Sequence, residues 1–149
     1  MNIISTATTI VLLLSLASPL EASETIQDVL SACPQASLGF SLENQAQALL
    51  SKDAVTSDDL TKSFALRGRS ASIWRTCANS TTNPLLHDAA MVEALGNQAL
   101  SAYDVATVSS ALAGLKRIAS SSQYPVVRDG ASQFALKAAG LLKALESQH

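Results

Sequence analysis

Residues 101–146, SAYDVATVSSALAGLKRIASSSQYPVVRDGASQFALKAAGLLKALE, carry the strongest periodicity in the chain. Val105, Val108, Leu112, Leu115 and Ala119 recur at alternating steps of three and four, the spacing that gathers side chains on one face of a helix. The pattern breaks at Ser120, Ser121 and Ser122. From Pro125 it resumes through Val127, Ala131, Phe134, Ala138, Leu141 and Leu145. Ser101 with Asp104 reads as a capping box opening the first of these helices, and Pro125 suits the first position of the second, where a missing N–H costs nothing. Lys116 and Arg117 fall in the last turn, where the helix dipole favours cations. Two continuous seams with a short connection are expected to pack antiparallel.

Working back toward the N-terminus, the same punctuation recurs. Asn83 followed by Pro84 opens a helix to about Leu100, with Leu85, Ala89, Val92 and Gly96 on one side. Ser57, with Asp58 and Asp59 after it, reads as the N-cap of a long helix from Asp58 to about Ala78, whose buried stripe is Leu60, Phe64, Ala71, Trp74 and Ala78. Gly68 is a point where that helix could bend. A less clean helix spans Ala36 to Ser51, with Leu38, Leu42, Ala46, Leu49 and Leu50 apolar and Gly39 weakening its first turn. Before it, Ile26, Val29, Leu30 and Cys33 form one face of a short helix from Thr25, capped through Asp28 and stopped by Pro34.

The residue content agrees: 48% of the chain is hydrophobic but only 4% aromatic, so Ala and Leu must make the core. Ala-rich helices approach closely, whereas strands would want more Val, Ile, Tyr and Phe. The class is therefore all-α, a small antiparallel helical bundle of about five to six helices. A gapless echo at a period of 41 residues sets Arg75 on Lys116, Ala78 on Ala119, Pro84 on Pro125, Asp88 on Asp129 and Ala90 on Ala131. The run from Pro125 to Ala131 resembles the start of the second helix in HEAT-type repeats, which implies hairpin pairs of about 40 residues. A plain bundle accounts for the same pattern.

Residues 1–22 read as a signal peptide. The apolar core from Thr8 to Ala17 is about ten residues long, ends near Pro19 and Ala22, and is far short of the roughly 20 needed to span a membrane. The first basic residue is Lys52, so the usual charged start is missing. The competing reading is a buried first helix of a cytosolic protein. Cleavage after Ala22 leaves residues 23–149, enough for a single helical domain. Nothing later has the length and apolarity of a membrane span, and a net charge of -2 supplies no field toward nucleic acid or anionic lipid.

Cys33 and Cys77 are the two cysteines, and in an oxidising compartment an isolated pair closes on itself. The chain-entropy model gives about 4 kcal/mol for a loop of this length. With only His87 and His149 besides, they make no zinc ligand set, and no metal or cofactor is expected. Asn79, Ser80 and Thr81 form an N-glycosylation sequon, expected in the loop after the third helix. No organised nucleophile or phosphate loop is present, and His87 beside Asp88 reads as structural, so enzymatic activity is not expected.

Lys62, Arg67, Arg69 and Arg75 concentrate positive charge on the third helix and are the candidate partner-binding residues, although a solvated face balancing nearby carboxylates explains them too. Trp74 among them reads as a core anchor. The segment Ala102 to Leu115 resembles the plant invertase and pectin-methylesterase inhibitors, exported helical bundles. The second cysteine pair and the N-terminal cysteine-paired hairpin of that family are missing, so membership is not claimed. The expected function is that of a secreted or periplasmic interaction module, inhibitor-like or effector-like, that binds another protein. The alternative is a carrier of a small apolar ligand, lipid or planar cofactor, between helices, with His87, Tyr103 and Tyr124 as possible contacts.

Overall fold

The computed structural model describes residues 24–148, and the leader expectation lies outside them. Six helices follow one another: α1 Glu24–Ala32, α2 Ala36–Leu50, α3 Ser57–Ser80, α4 Pro84–Ala99, α5 Val105–Ser121 and α6 Pro125–Glu146. No strand occurs among the described residues, and the molecule is the all-α bundle that the periodicity implies. No described helix is long and apolar enough to cross a membrane.

Each helix start shows local chemistry at work. Asn83 Oδ1 accepts from the N–H groups of Leu85 and Leu86, and Pro84 occupies the first turn of α4. Pro125 does the same for α6, so the 41-residue echo superposes equivalent helix starts. Asp104 caps α5 by accepting from Thr107 N at 2.7 Å, without Ser101 as its box partner. The N-cap of α3 is Thr56, one residue before the expected Ser57. A true capping box explains the shift: Asp59 N donates to Thr56 Oγ1 and Thr56 N donates back to Asp59 Oδ2, both at 3.1 Å. The helix then runs unbroken through Gly68 to Ser80. Helix α1 is already formed at Glu24, so Thr25 lies inside it and does not cap it.

Helix α4 is the hub, packing on α3 and α5 as chain neighbours and on α1 and α6 besides. Its burial follows: Ala89, Ala90, Val92, Ala94 and Ala99 are all at 0% exposure. Small residues let neighbours come close. A Cβ at Gly96 would stand 2.5 Å from the Phe134 ring, so α6 sits on α4 at a distance only glycine permits. Helix α2 packs chiefly on α3, and Gly39 fills the corresponding role there, with Trp74 Nε1 3.1 Å from its absent Cβ. Cys33, just after α1, and Cys77, in α3, lie at disulfide distance with Cα atoms 5.7 Å apart.

Candidate functional site

Helix α3 is long, and its two sides do different things. Residues recurring at steps of four and three from Ser63 through Arg67, Ser70 and Trp74 to Cys77 form the inner side, all buried. Lys62, Ala65, Arg69, Ser72, Arg75, Thr76 and Asn79 form the outer side, all exposed. At 1.5 Å per residue, Lys62 to Arg75 spans about 20 Å.

Arg67, expected with the other cations, is not on the outer side and is only 4% exposed. The reason is angular: Arg67 is roughly 140° around the helix from Lys62 on the side of Ser63, Ser70 and Trp74, which turns it inward, whereas Arg75 is rotated as far the other way and stays outside. There Arg67 Nη1 donates to Asn97 Oδ1 of α4 at 3.1 Å. The three other cations stay at the surface. Lys62 pairs with Asp58 at 2.7 Å, which raises its pKa, but both side chains are well over half exposed and solvent screens the pair. Arg75 donates to Gln98 Oε1 at 2.5 Å. Arg69, between them along the helix, is exposed.

Behind this face lies a buried polar cluster that no residue pattern singled out. Glu43 of α2 is 3% exposed, and Ser70, Trp74, Glu93 and Asn97 are at 0%. Glu43 Oε1 accepts from Trp74 Nε1 at 2.5 Å and from Asn97 Nδ2 at 2.9 Å. Ser70 Oγ stands 2.9 Å from that same oxygen and 2.9 Å from the Gly39 carbonyl, its single proton serving one acceptor at a time. The second Asn97 amide proton goes to the Glu93 carbonyl at 3.0 Å. Three helices are thus braced by one carboxylate. Closed off from solvent, the cluster stiffens α3 from behind and offers no surface to a solute.

The remaining candidates have local duties. His87 is half-buried, and its Nδ1–H donates to the Ala78 carbonyl at 2.9 Å, closing the end of α3. Asp88 accepts from Ser122 Oγ at 3.0 Å. Asn79 and Ser80 lie in the last turn of α3, not in the loop, and Thr81 is the C-cap residue. Tyr103 is exposed and packs edge-on against Phe64, 4.2 Å between ring centroids. Tyr124 is the N-cap residue of α6. His87 thus lies in the first turn of α4, Tyr103 in the α4–α5 connection and Tyr124 at the start of α6, where Ser122 joins the last corner to Asp88. Among the described residues no group of three or more His, Cys, Asp or Glu is placed to hold a metal ion.

In the background of the bundle, two apolar clefts open to solvent. One, of about 510 Å³, has Leu30, Phe40 and Ala48 interleaved with Ser37, Ser41, Asn44 and Gln45 beside α1 and α2. The other, of about 600 Å³, is lined by Ala119, Ala135, Leu136 and Ala139 between α5 and α6. Compared with known proteins, the chain matches no family model, no curated protein and no solved structure.

Proposed function

We propose that this is an exported, non-enzymatic interaction protein, secreted or periplasmic, whose outer α3 face docks on an acidic surface of another protein. The observation that carries the reading is the distribution of charge along that helix. Lys62, Arg69 and Arg75 stand exposed over about 20 Å of helix, Arg75 on the opposite edge of the outer side from the other two, and the carboxylates of the helix sit at its first turn, in Asp58, which pairs with Lys62, and in Asp59. Complementary charge of this kind steers encounter and sets register more than it adds affinity. The rigid backing matters as much: a helix braced by Glu43 and tied through Cys77 presents its face with little ordering left to do on binding.

The test is a pull-down from the native source. A stoichiometric partner retained by the wild type and lost on combined reversal of Lys62, Arg69 and Arg75 to Glu supports the reading. Binding untouched by that reversal leaves the cationic face without a role and sinks it. N-terminal sequencing of the native protein tests export separately, with Ser23 the expected first residue. The carrier reading draws its support from the two apolar clefts, and a lipid or pigment co-purifying at one per chain would favour it instead.

A further inference from the structure

We propose that Asn79 is an N-glycosylation site that is filled before α3 winds its last turn, in competition with closure of the Cys33–Cys77 pair. The site rests on the export reading above and adds to it a modification and an order of events. The sequon Asn79, Ser80, Thr81 lies with its asparagine exposed, and a glycan on Nδ2 would project into solvent without displacing any core residue.

Geometry supplies the ordering. A sequon is read as a unit, the amide and the hydroxyl two residues on meeting one enzyme surface. Here the sequon straddles the helix end: Asn79 and Ser80 are fixed in helical backbone, and Thr81, the extended C-cap residue, accepts from Asn83 N at 3.2 Å. The last turn is also held shut. Ser80 Oγ donates to the Cys77 carbonyl at 2.9 Å, and His87 Nδ1–H donates to the Ala78 carbonyl at 2.9 Å. Cys77, two residues before the asparagine, is 1% exposed and anchored to Cys33. Once that turn is wound and tied, the asparagine and the hydroxyl residue can no longer rearrange together to fit an enzyme, so transfer belongs to the open chain.

The transfer needs a polyprenyl-diphosphate-linked oligosaccharide as donor. The Asn79 Nδ2 to sugar C1 bond forms and the C1 to diphosphate oxygen bond breaks. The diphosphate leaves with the electron pair, and one amide proton passes to a base of the transferase. No redox partner is involved.

The experiment has two arms. The full chain is translated in the presence of secretory microsomes, and it should yield one protease-protected, glycosidase-sensitive species that disappears in Asn79→Gln and in Thr81→Ala. In the second arm, unglycosylated full-length protein is offered to transferase and donor. The oxidised, folded chain should stay unmodified, while the reduced and unfolded chain should be modified. A protected chain with no glycosidase-sensitive shift overturns the site and leaves the export reading standing. A chain that is never protected overturns both. Equal modification of oxidised and reduced protein overturns the ordering.

Discussion

Truncating Glu43 to Ala is the sharpest perturbation of this bundle, because one carboxylate oxygen serves three donors on two neighbouring helices. The donors fare differently when it goes. Asn97 Nδ2 keeps the Glu93 carbonyl and Ser70 keeps the Gly39 carbonyl, but Trp74 Nε1, at 0% exposure, loses its acceptor. A buried donor left unsatisfied costs about 1–3 kcal/mol. Removing a carboxylate from a cluster that holds the buried Arg67 guanidinium raises the total toward the range of a broken buried ion pair, about 3–5 kcal/mol. Glu43→Gln keeps one acceptor oxygen while exchanging the other for an amide NH2, so it should cost less than Glu43→Ala. Trp74 is the chain's one tryptophan, so its emission in a urea titration reads the site directly, with far-ultraviolet circular dichroism reading the helices in parallel. Glu43→Ala within about 0.5 kcal/mol of wild type, the range of ordinary surface changes, would refute the brace.

Other outcomes follow from neighbouring features. Arg67→Glu should destabilise by several kcal/mol, on the order of a broken buried pair, whereas reversal of Lys62, Arg69 or Arg75 should change stability by no more than about 0.5 kcal/mol each, as thermal melts of the four variants would show. Gly96→Ala forces a methyl against the Phe134 ring and should cost about 1–3 kcal/mol by denaturant unfolding; a neutral or stabilising result would mean that α6 can retreat. The Lys52 ammonium, with help from Thr56 N–H and hydroxyl, holds the Asp59 carboxyl down at about 2, below its unfolded value. A lowered folded pKa stabilises above the unfolded value and loses that stabilisation as pH falls through the folded one. The stability gap between wild type and Asp59→Asn should therefore close between about pH 4 and about pH 2, and a gap that is constant over that window contradicts the charge pairing of Asp59 with Lys52. Replacing both cysteines by Ser should lower stability by about 2–4 kcal/mol, given the 44-residue separation, and leave the helix content of the fold intact by circular dichroism.

Much of this architecture was legible in the chain because helices announce themselves through apolar spacing and through their ends. The stripes from Val108 to Leu115 and from Val127 to Leu145 and the Asn83–Pro84 and Pro125 starts follow from local rules, and the approach of Cys33 to Cys77 from the chain's having two cysteines. The buried cluster escaped because periodicity counts apolar residues and passes over polar ones lying in the same stripe. Glu43 lies between Leu42 and Ala46 in the buried stripe of α2, and Arg67 between Phe64 and Trp74 in that of α3. A signal was there: a charge inside an apolar stripe asks for a partner. That partner, Asn97, is 30 residues from Arg67 and 54 from Glu43, a separation that only tertiary packing resolves. Leu136, 74% exposed, is the converse case, an apolar residue off its helix's inward stripe.

The position of α4 sets how this molecule breathes. Flanked on four sides, its backbone amides from Ala89 to Ala99 can reach solvent deuterium only when the whole bundle comes apart, so they should be among the slowest to exchange. Helix α2 leans mainly on one neighbour and can lift in a smaller, cheaper event. The cystine sets a leash on that excursion, since the segment entering α2 stays moored to α3 while its far end swings.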